Sequence, residues 1–339
     1  MRKWVHNLFN SPFCMRKAIS FFLLLPLCMG CTLFRKAGRG KVVSNRDVTV
    51  VIAADLHFDL LPETDQYYHV VTMNHLEHSF CFPKDASLGI AGQTFKTLRG
   101  VILAGDIFDK SRPEILNFYR QRYEQGSRER QIHYPVYPGL GNHDIDPAVS
   151  DKGADNLKGR AYTLHYIDSL LEKKLSRGEI LNLDTSSRSY SWNVEDVHFI
   201  QGQRYAGDTT YCQSNFKWLK QDLEKYASGG NPIVYIQHYG FDKWAIDWWP
   251  QNSREQLFDL LEQYNLAAFF VGHTHTASIE HYRGHAIYQV NNAWKDDDGN
   301  GSFAVMRIKK NALSIATCRW IDDKGHFEVI GPYENRILP

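Results

Sequence analysis

The sequence predicts an α/β protein in which two β-sheets are flanked by helices. Two patterns predict it. From Val48 to Val271, short apolar runs rich in β-branched residues alternate with segments of helical periodicity. After residue 284 the helical segments stop and a run of strands follows, which reads as a meander. With 43% hydrophobic and 23% charged residues over 339 positions, the chain can bury one large core or two small ones.

The first element stands apart from the rest. Arg16 and Lys17 precede 18-AISFFLLLPLCMGC-31, an apolar run too short to cross a bilayer as a stable helix but of the length of a signal-peptide core. It ends in small and apolar residues before Cys31, and it resembles a bacterial lipoprotein signal in which that cysteine becomes the acylated first residue. Cys28 stands where leucine is usual, and Met15 with its own basic head is an alternative start. An uncleaved anchor or an ordinary signal peptide fits the same run. The expectation is residues 1–30 as signal, 31–46 as a polar tether and 47–339 as the folded domain. It places the protein outside the cytoplasm, in the bacterial cell envelope, with a membrane anchor at Cys31. Removing residues 1–30 takes away four bases and no acid, so the remainder is mildly acidic. A net charge of +1 on the whole chain offers no basic field for nucleic acid. Beyond Cys31 only Cys81, Cys212 and Cys318 remain, too widely spaced for a zinc site, and they read as core residues or one adventitious bridge.

The expected strands are 48-VTVVIAA-54, 101-VILA-104, 132-IHYPVYP-138, 233-IVYIQ-237 and 267-AAFFV-271. Helices are expected over 113–125, where Pro113 suits a first turn, and over 157–175, 216–227 and 254–265. Strands return at 188–203, 285–292, 302–310, 312–320 and 326–331, with 296-DDDGNG-301 as a turn. Residues 60–99 carry no clear pattern and read as loop.

Each of the five apolar runs ends in residues that hold metals: 54-ADLHFD-59, 105-GDIFD-109, 141-GNHD-144, 237-QHYG-240 and 272-GHTH-275. Ligands in α/β proteins gather at the carboxyl ends of strands, so five such ends can share one pocket. Asp55, His57, Asp106, Asn142, His238, His273 and His275 are seven oxygen and nitrogen donors, too many for one ion and suited to two. Imidazole with carboxylate selects manganese, iron, zinc or nickel over calcium, and the lack of thiolate argues against a closed structural zinc. Asp-x-His and His-x-His put both side chains on one face of an extended segment. Gly105 and Gly141 let backbone approach the ions.

Taken together and in this order, the five segments resemble the calcineurin-like metallophosphoesterase superfamily over about residues 48–295. The resemblance implies a four-layer αββα sandwich of two mixed sheets. It implies Asp55, His57 and His275 on a first ion, Asn142, His238 and His273 on a second, and Asp106 bridging, with two divalent or trivalent transition-metal ions as cofactors. It also implies His143 as a non-ligand facing the phosphoryl group, oriented by Asp144, with Asp109 as a supporting carboxylate. Asp109 is followed by Lys110 and Ser111, not by the Arg-Gly of the serine/threonine protein phosphatase branch. The implied activity is hydrolysis of a phosphate mono- or diester by in-line attack of a hydroxide held between the metals. The substrate is expected to be a phosphorylated small molecule or lipid. The rival is a non-catalytic surface lipoprotein that uses the metals for structure or to bind a phosphorylated partner. In 244-WAIDWWP-250, Trp244, Trp248 and Trp249 read equally as a wall beside the metals or as a loop hiding its own tryptophans.

Overall fold

The computed structural model describes residues 45–58, 63–109, 112–146 and 154–339. The expected signal segment, the tether up to Ser44, and Lys110 and Ser111 lie outside the described residues. In chain order the first half contains β1 (Asp47–Ala53), α1 (Glu63–Asn74), β2 (Val101–Leu103), α2 (Pro113–Tyr123), β3 (Val136–Tyr137), α3 (Asn142–Ile145), α4 (Ala154–Ser176), β4 (Asn182–Leu183), β5 (Tyr190–Val194) and β6 (Val197–Gln201). The second half contains α5 (Phe216–Tyr226), β7 (Pro232–Ile236), α6 (Ala245–Trp248), α7 (Gln251–Leu261), β8 (Asn265–Val271), β9 (Ser278–Tyr282), β10 (His285–Gln289), β11 (Ser302–Lys309), β12 (Ala312–Trp320) and β13 (Phe327–Ile337).

These strands make two mixed sheets, ordered β13-β12-β11-β1-β2-β3 and β4-β5-β6-β7-β8-β10-β9. In the first, β1, β2 and β3 run parallel, with Val51 opposite Val101 and Val101 opposite Val136. The tail strands extend that sheet antiparallel, with Val50 opposite Met306. In the second, β6, β7, β8 and β10 run parallel, and the β5–β6 hairpin and β9 add antiparallel edges.

The period of two along each strand separates the layers. In β1, Val48, Val50 and Ile52 enter the core between the sheets, while Val51 and Ala53 join an outer cluster with Val70 and Met73 of α1 and Leu116 and Tyr119 of α2. In β7, Val234 and Ile236 point into the shared core, while Ile233 and Tyr235 pack outward on Leu219 and Leu223 of α5 and Leu257 and Phe258 of α7. Helices, sheet, sheet, helices: this is the four-layer sandwich.

One contact fixes where the sheets meet. Trp192 on β5 stacks on Tyr137 of β3 at 4.1 Å and 4° between planes, and is flanked by Phe199 at 5.3 Å. Beside it, the Tyr190 hydroxyl donates to the Pro138 carbonyl at 2.9 Å and the Gln201 amide to the Leu103 carbonyl at 3.0 Å. The carboxyl ends of β2 and β3 are thereby stapled to the second sheet.

The departures from the sequence reading have local causes. Only Val136 and Tyr137 of the expected strand 132–138 pair, because Pro135 and Pro138 have no N–H to give the ladder. Pro135 contributes only its carbonyl, which accepts from Val101 N–H at 2.9 Å. Helix α7 starts at Gln251 rather than Arg254, because Pro250 holds a φ of −55° just ahead of it. Within 60–99 lies α1, whose Val70-Val71-Thr72 run disguises a helix that burial makes favourable. Cys81, Cys212 and Cys318 are free thiols. Among the described residues, no helix is long and apolar enough to cross a membrane. Because Trp192 is wholly enclosed where the sheets meet, Trp192→Ala should cost about 3–5 kcal/mol in chemical denaturation; a loss below about 1 kcal/mol would show that the stack does not join the layers.

Candidate metal centre

Five strands deliver the site residues within four residues of their carboxyl ends or, for the third, in the turn that follows. Asp55 and His57 follow β1, Asp106 follows β2, Asn142 opens α3 just after β3, His238 follows β7, and His273 and His275 follow β8. Neighbouring loops are tied together by backbone: Asp55 N–H donates to Gly105 at 3.0 Å, and His57 N–H to Asp106 at 3.1 Å. Two glycines make the approach possible. Gly105 has φ +100°, and a Cβ there would lie 2.5 Å from the His238 ring. A Cβ on Gly141 would lie 2.1 Å from Asp106 Oδ1.

The backbone itself is unusual here. Asp55, His57, Asp106, His273 and His275 all adopt left-handed conformations, with φ of 51°, 41°, 51°, 79° and 54°. Side-chain-bearing residues rarely sit there, each at a cost of order 1–3 kcal/mol, and such residues gather at ligand clamps. Five of the seven expected donors are bent in this way.

The seven side chains come together as two groups sharing one carboxylate. Ligand atoms of Asp55, His57 and His275 lie within 4.8 Å of one another, as do those of Asp106, His238 and His273. Asp106 Oδ2 is 3.6 Å from His57 Nε2 and 3.0 Å from His238 Nε2, so it stands between the groups. Asn142 Oδ1 lies 3.1 Å from His238 Nε2 and completes the second group. His238 Nδ1–H donates to the Ala104 carbonyl at 2.9 Å, which leaves Nε2 facing the centre. Asp55 is held by His273 N–H at 2.9 Å, and Asp106 Oδ1 by His143 N–H at 2.8 Å.

The electrostatics call for cations. Asp55, Asp106 and Asp144 are buried, and Asp109 nearly so. Burial works to raise Asp55 and Asp106, but the imidazoles of His275, His238 and His57 outweigh it and hold both below the usual carboxylate range. Burial works against charge on His57 and His238 as well, yet the surrounding carboxylates push them up to about 10 and about 9. His273 goes the other way, down to about 4, through burial and the charge of His238. Both ring nitrogens of buried His57 lack a hydrogen-bond partner. Orphaned buried nitrogens among carboxylates, with imidazole and oxygen donors in two groups, fit a pair of borderline divalent ions.

With this geometry in view, comparisons with known proteins are decisive for the family. A calcineurin-like phosphoesterase model matches residues 48–277. The chain belongs to the calcineurin-like phosphoesterase family. Members use two divalent metal ions, and the two groups of donors are its candidate ligands. Its fold is similar to that of a dimetal phosphatase from Danio rerio, at 10% identity and a TM-score of 0.50, over 84% of this chain and 98% of that one. It is also similar to a purple acid phosphatase from yellow lupin, Lupinus luteus, at 12% identity and a TM-score of 0.50, over 83% of this chain. It spans about half, 52%, of the lupin chain. At such identities the likeness shows the fold alone. Compared by sequence with curated proteins, the chain finds no significant match.

One expectation is corrected. Asp144 does not orient His143. The hexamer 139-GLGNHD-144 ends in the helical turn α3, where consecutive side chains diverge by about 100° and cannot face each other. His143 Nδ1 instead lies 3.1 Å from Asp109 Oδ1. The Asp144 carboxylate accepts from the N–H groups of Gly141, Phe108 and Ile107 at 2.8, 2.9 and 3.2 Å, which ties the third loop to the second. Burial and the charge of Asp106 raise Asp144 to about 6, against those three donors. Two aromatics at the site carried no sequence signal of their own. Trp294 lies 5.2 Å from His57 and 4.9 Å from His275, and Tyr239 lies 4.7 Å from His273.

The raised imidazoles give a pH dependence. In metal-free protein, His57 and His238 contribute stability as cations, fully present below about 6.5, the ordinary imidazole value. That contribution is lost as pH rises through about 9 and about 10. Thermal melting of chelator-treated protein should therefore fall between pH 7 and pH 10.5, and manganese should flatten the fall. A metal-free melting temperature that does not change over that range would contradict the arrangement.

Proposed function

We propose that this chain hydrolyses a phosphate mono- or diester at a dinuclear metal centre. The observation that supports it most is the convergence of Asp55, His57, His275, Asp106, Asn142, His238 and His273 in two groups that share Asp106. Asp55, His57 and His275 would hold one ion, Asn142, His238 and His273 the other, and Asp106 both. Bound there, the ions would supply Lewis acidity, lowering the pKa of a water and offsetting charge on phosphoryl oxygens.

The chain's own residues do the rest. Asn142 is a neutral ligand, so it leaves positive charge on the second group uncompensated and favours an anionic substrate. Asp109 Oδ1 stands 3.1 Å from His143 Nδ1, which leaves Nε2 as the nitrogen to carry a proton to the leaving oxygen. A ring nitrogen of His143 lies within 4.8 Å of ligand atoms of His57 and Asp106, close enough to serve the same reacting group. Trp294 packs edge-on against His57 and His275 and bounds the site on that side. No side-chain nucleophile is required, so no phospho-enzyme should form.

The decisive experiment is metal analysis with turnover of p-nitrophenyl phosphate and bis(p-nitrophenyl) phosphate in manganese, zinc and iron. His143→Ala should keep its metal and lose about 10²–10⁴-fold in turnover, the usual worth of a general acid. Asp106→Asn should lose both. A metal-replete His143→Ala enzyme at full rate on every ester would remove the assigned role.

We further propose export and lipid anchoring at Cys31, supported by the basic head and apolar run of residues 16–31. Labelled palmitate should enter the full-length chain in bacterial cells and not its Cys31→Ala variant; equal labelling of the two would remove the anchor.

A further inference from the structure

We propose that Trp248, backed by Tyr239, is a stacking platform that selects phosphoesters whose leaving group carries a planar aromatic ring. The proposal rests on the phosphoesterase reading above and names its substrate class. Three adjacent features support it.

The first is position. The Trp248 ring lies 5.6 Å from His273 and 5.9 Å from Tyr239, whose own ring is 4.7 Å from His273. An unbroken aromatic surface therefore runs from a candidate ligand of the second ion to the rim. Tyr239 is buried, but Trp248 is 54% exposed, so the open part of this surface belongs to the indole.

The second is rigidity. Trp248 ends the short helix α6, which is held from both sides. Asp242 Oδ1 accepts from the N–H groups of Trp244 and Ala245 at 2.9 Å each. Arg254 donates to the Ile246 carbonyl at 2.8 Å and also to the Trp249 carbonyl. Trp249 is wholly buried, and its Nε1–H donates to Ala206 at 3.2 Å. The two sequence readings of these tryptophans thus divide between neighbours: Trp249 anchors the loop, and Trp248 is presented by it. A large flat side chain fixed in water beside a reaction centre is preorganised for a flat partner.

The third is contrast. Trp244 is exposed to nearly the same extent, 53%, but Lys243 Nζ lies 4.5 Å from its ring centre. Among the described residues it makes no ring contact with a candidate ligand. Exposed Asp247 lies between Ile246 and Trp248 and would bring a carboxylate into any lipid surface that took both tryptophans. A soluble aromatic ester fits the turn better than a bilayer does.

The test compares adenosine 5′-monophosphate with ribose 5-phosphate, which have the same leaving alkoxide and differ by the base. Both are assayed as monoesters and as methyl diesters, on full-length manganese-loaded protein. The native enzyme should prefer the adenosine ester in kcat/KM by about tenfold, the scale of one base stacked on an aromatic side chain. Trp248→Ala should erase the preference, Trp248→Phe should keep most of it, and Trp244→Ala should change nothing. Independently, adenosine 5′-monophosphate should quench tryptophan fluorescence in the native protein and in Trp244→Ala but not in Trp248→Ala. No adenosine preference in the native enzyme, or a preference and quenching that survive Trp248→Ala, overturns the platform. Loss of phosphatidylglycerol vesicle binding in both alanine variants, with the preference intact, would overturn it in favour of a lipid surface. Metal-loaded native protein inert on all four esters would count against the phosphoesterase reading, while quenching would still decide the platform.

Discussion

Two fully buried carboxylates, Asp55 and Asp106, impose the constraint on which the rest of the structure depends. An isolated buried carboxylate is too costly to persist, and a third and a fourth, Asp144 and Asp109, lie close by. Without ions, the imidazoles of His57, His238 and His275 are what stand against this charge. The imidazoles then do a job for which neutral rings with a free Nε2 are ill suited, and both nitrogens of His57 remain without a hydrogen-bond partner. Two cations placed among the same donors would make them ordinary ligands. The left-handed backbone at five of them is stable only because neighbouring loops over-determine it.

The sandwich is what makes that over-determination possible. Three ligand loops leave the parallel strands β1, β2 and β3 of one sheet, and two leave β7 and β8 of the other. The stack of Trp192 on Tyr137 and the Gln201-to-Leu103 hydrogen bond hold the two sets of strand ends in register. The centre is thus assembled across a sheet interface. Its precision is inherited from core packing rather than from the loops.

Much of this was legible in the residues. Buried parallel strands need continuous apolar runs, and polar residues directly after such runs have nowhere to go but the carboxyl-end pocket, so Asp55 through His275 could be read in order. What could not be read depends on turn geometry or tertiary contact. The helical turn at Asn142 separates His143 from Asp144 and gives His143 to Asp109, which a linear motif cannot reveal. Helix α1 hides behind β-branched residues whose burial overrides their propensity. Trp294 reaches His57 and His275 only because β10 pairs with β8 and carries its following loop to the centre. The pairing of β3 is shorter than its apolar run because Pro135 and Pro138 look apolar in a sequence yet cannot donate to a ladder.

Everything above requires that these donors form one centre for two ions. Crystals grown in manganese, with anomalous scattering recorded at the manganese edge, test it directly. Two peaks about 3.5–4 Å apart are expected, one against Asp55, His57 and His275, the other against Asn142, His238 and His273, with Asp106 between. A single peak, or none at full manganese occupancy of the crystal solvent, would contradict it.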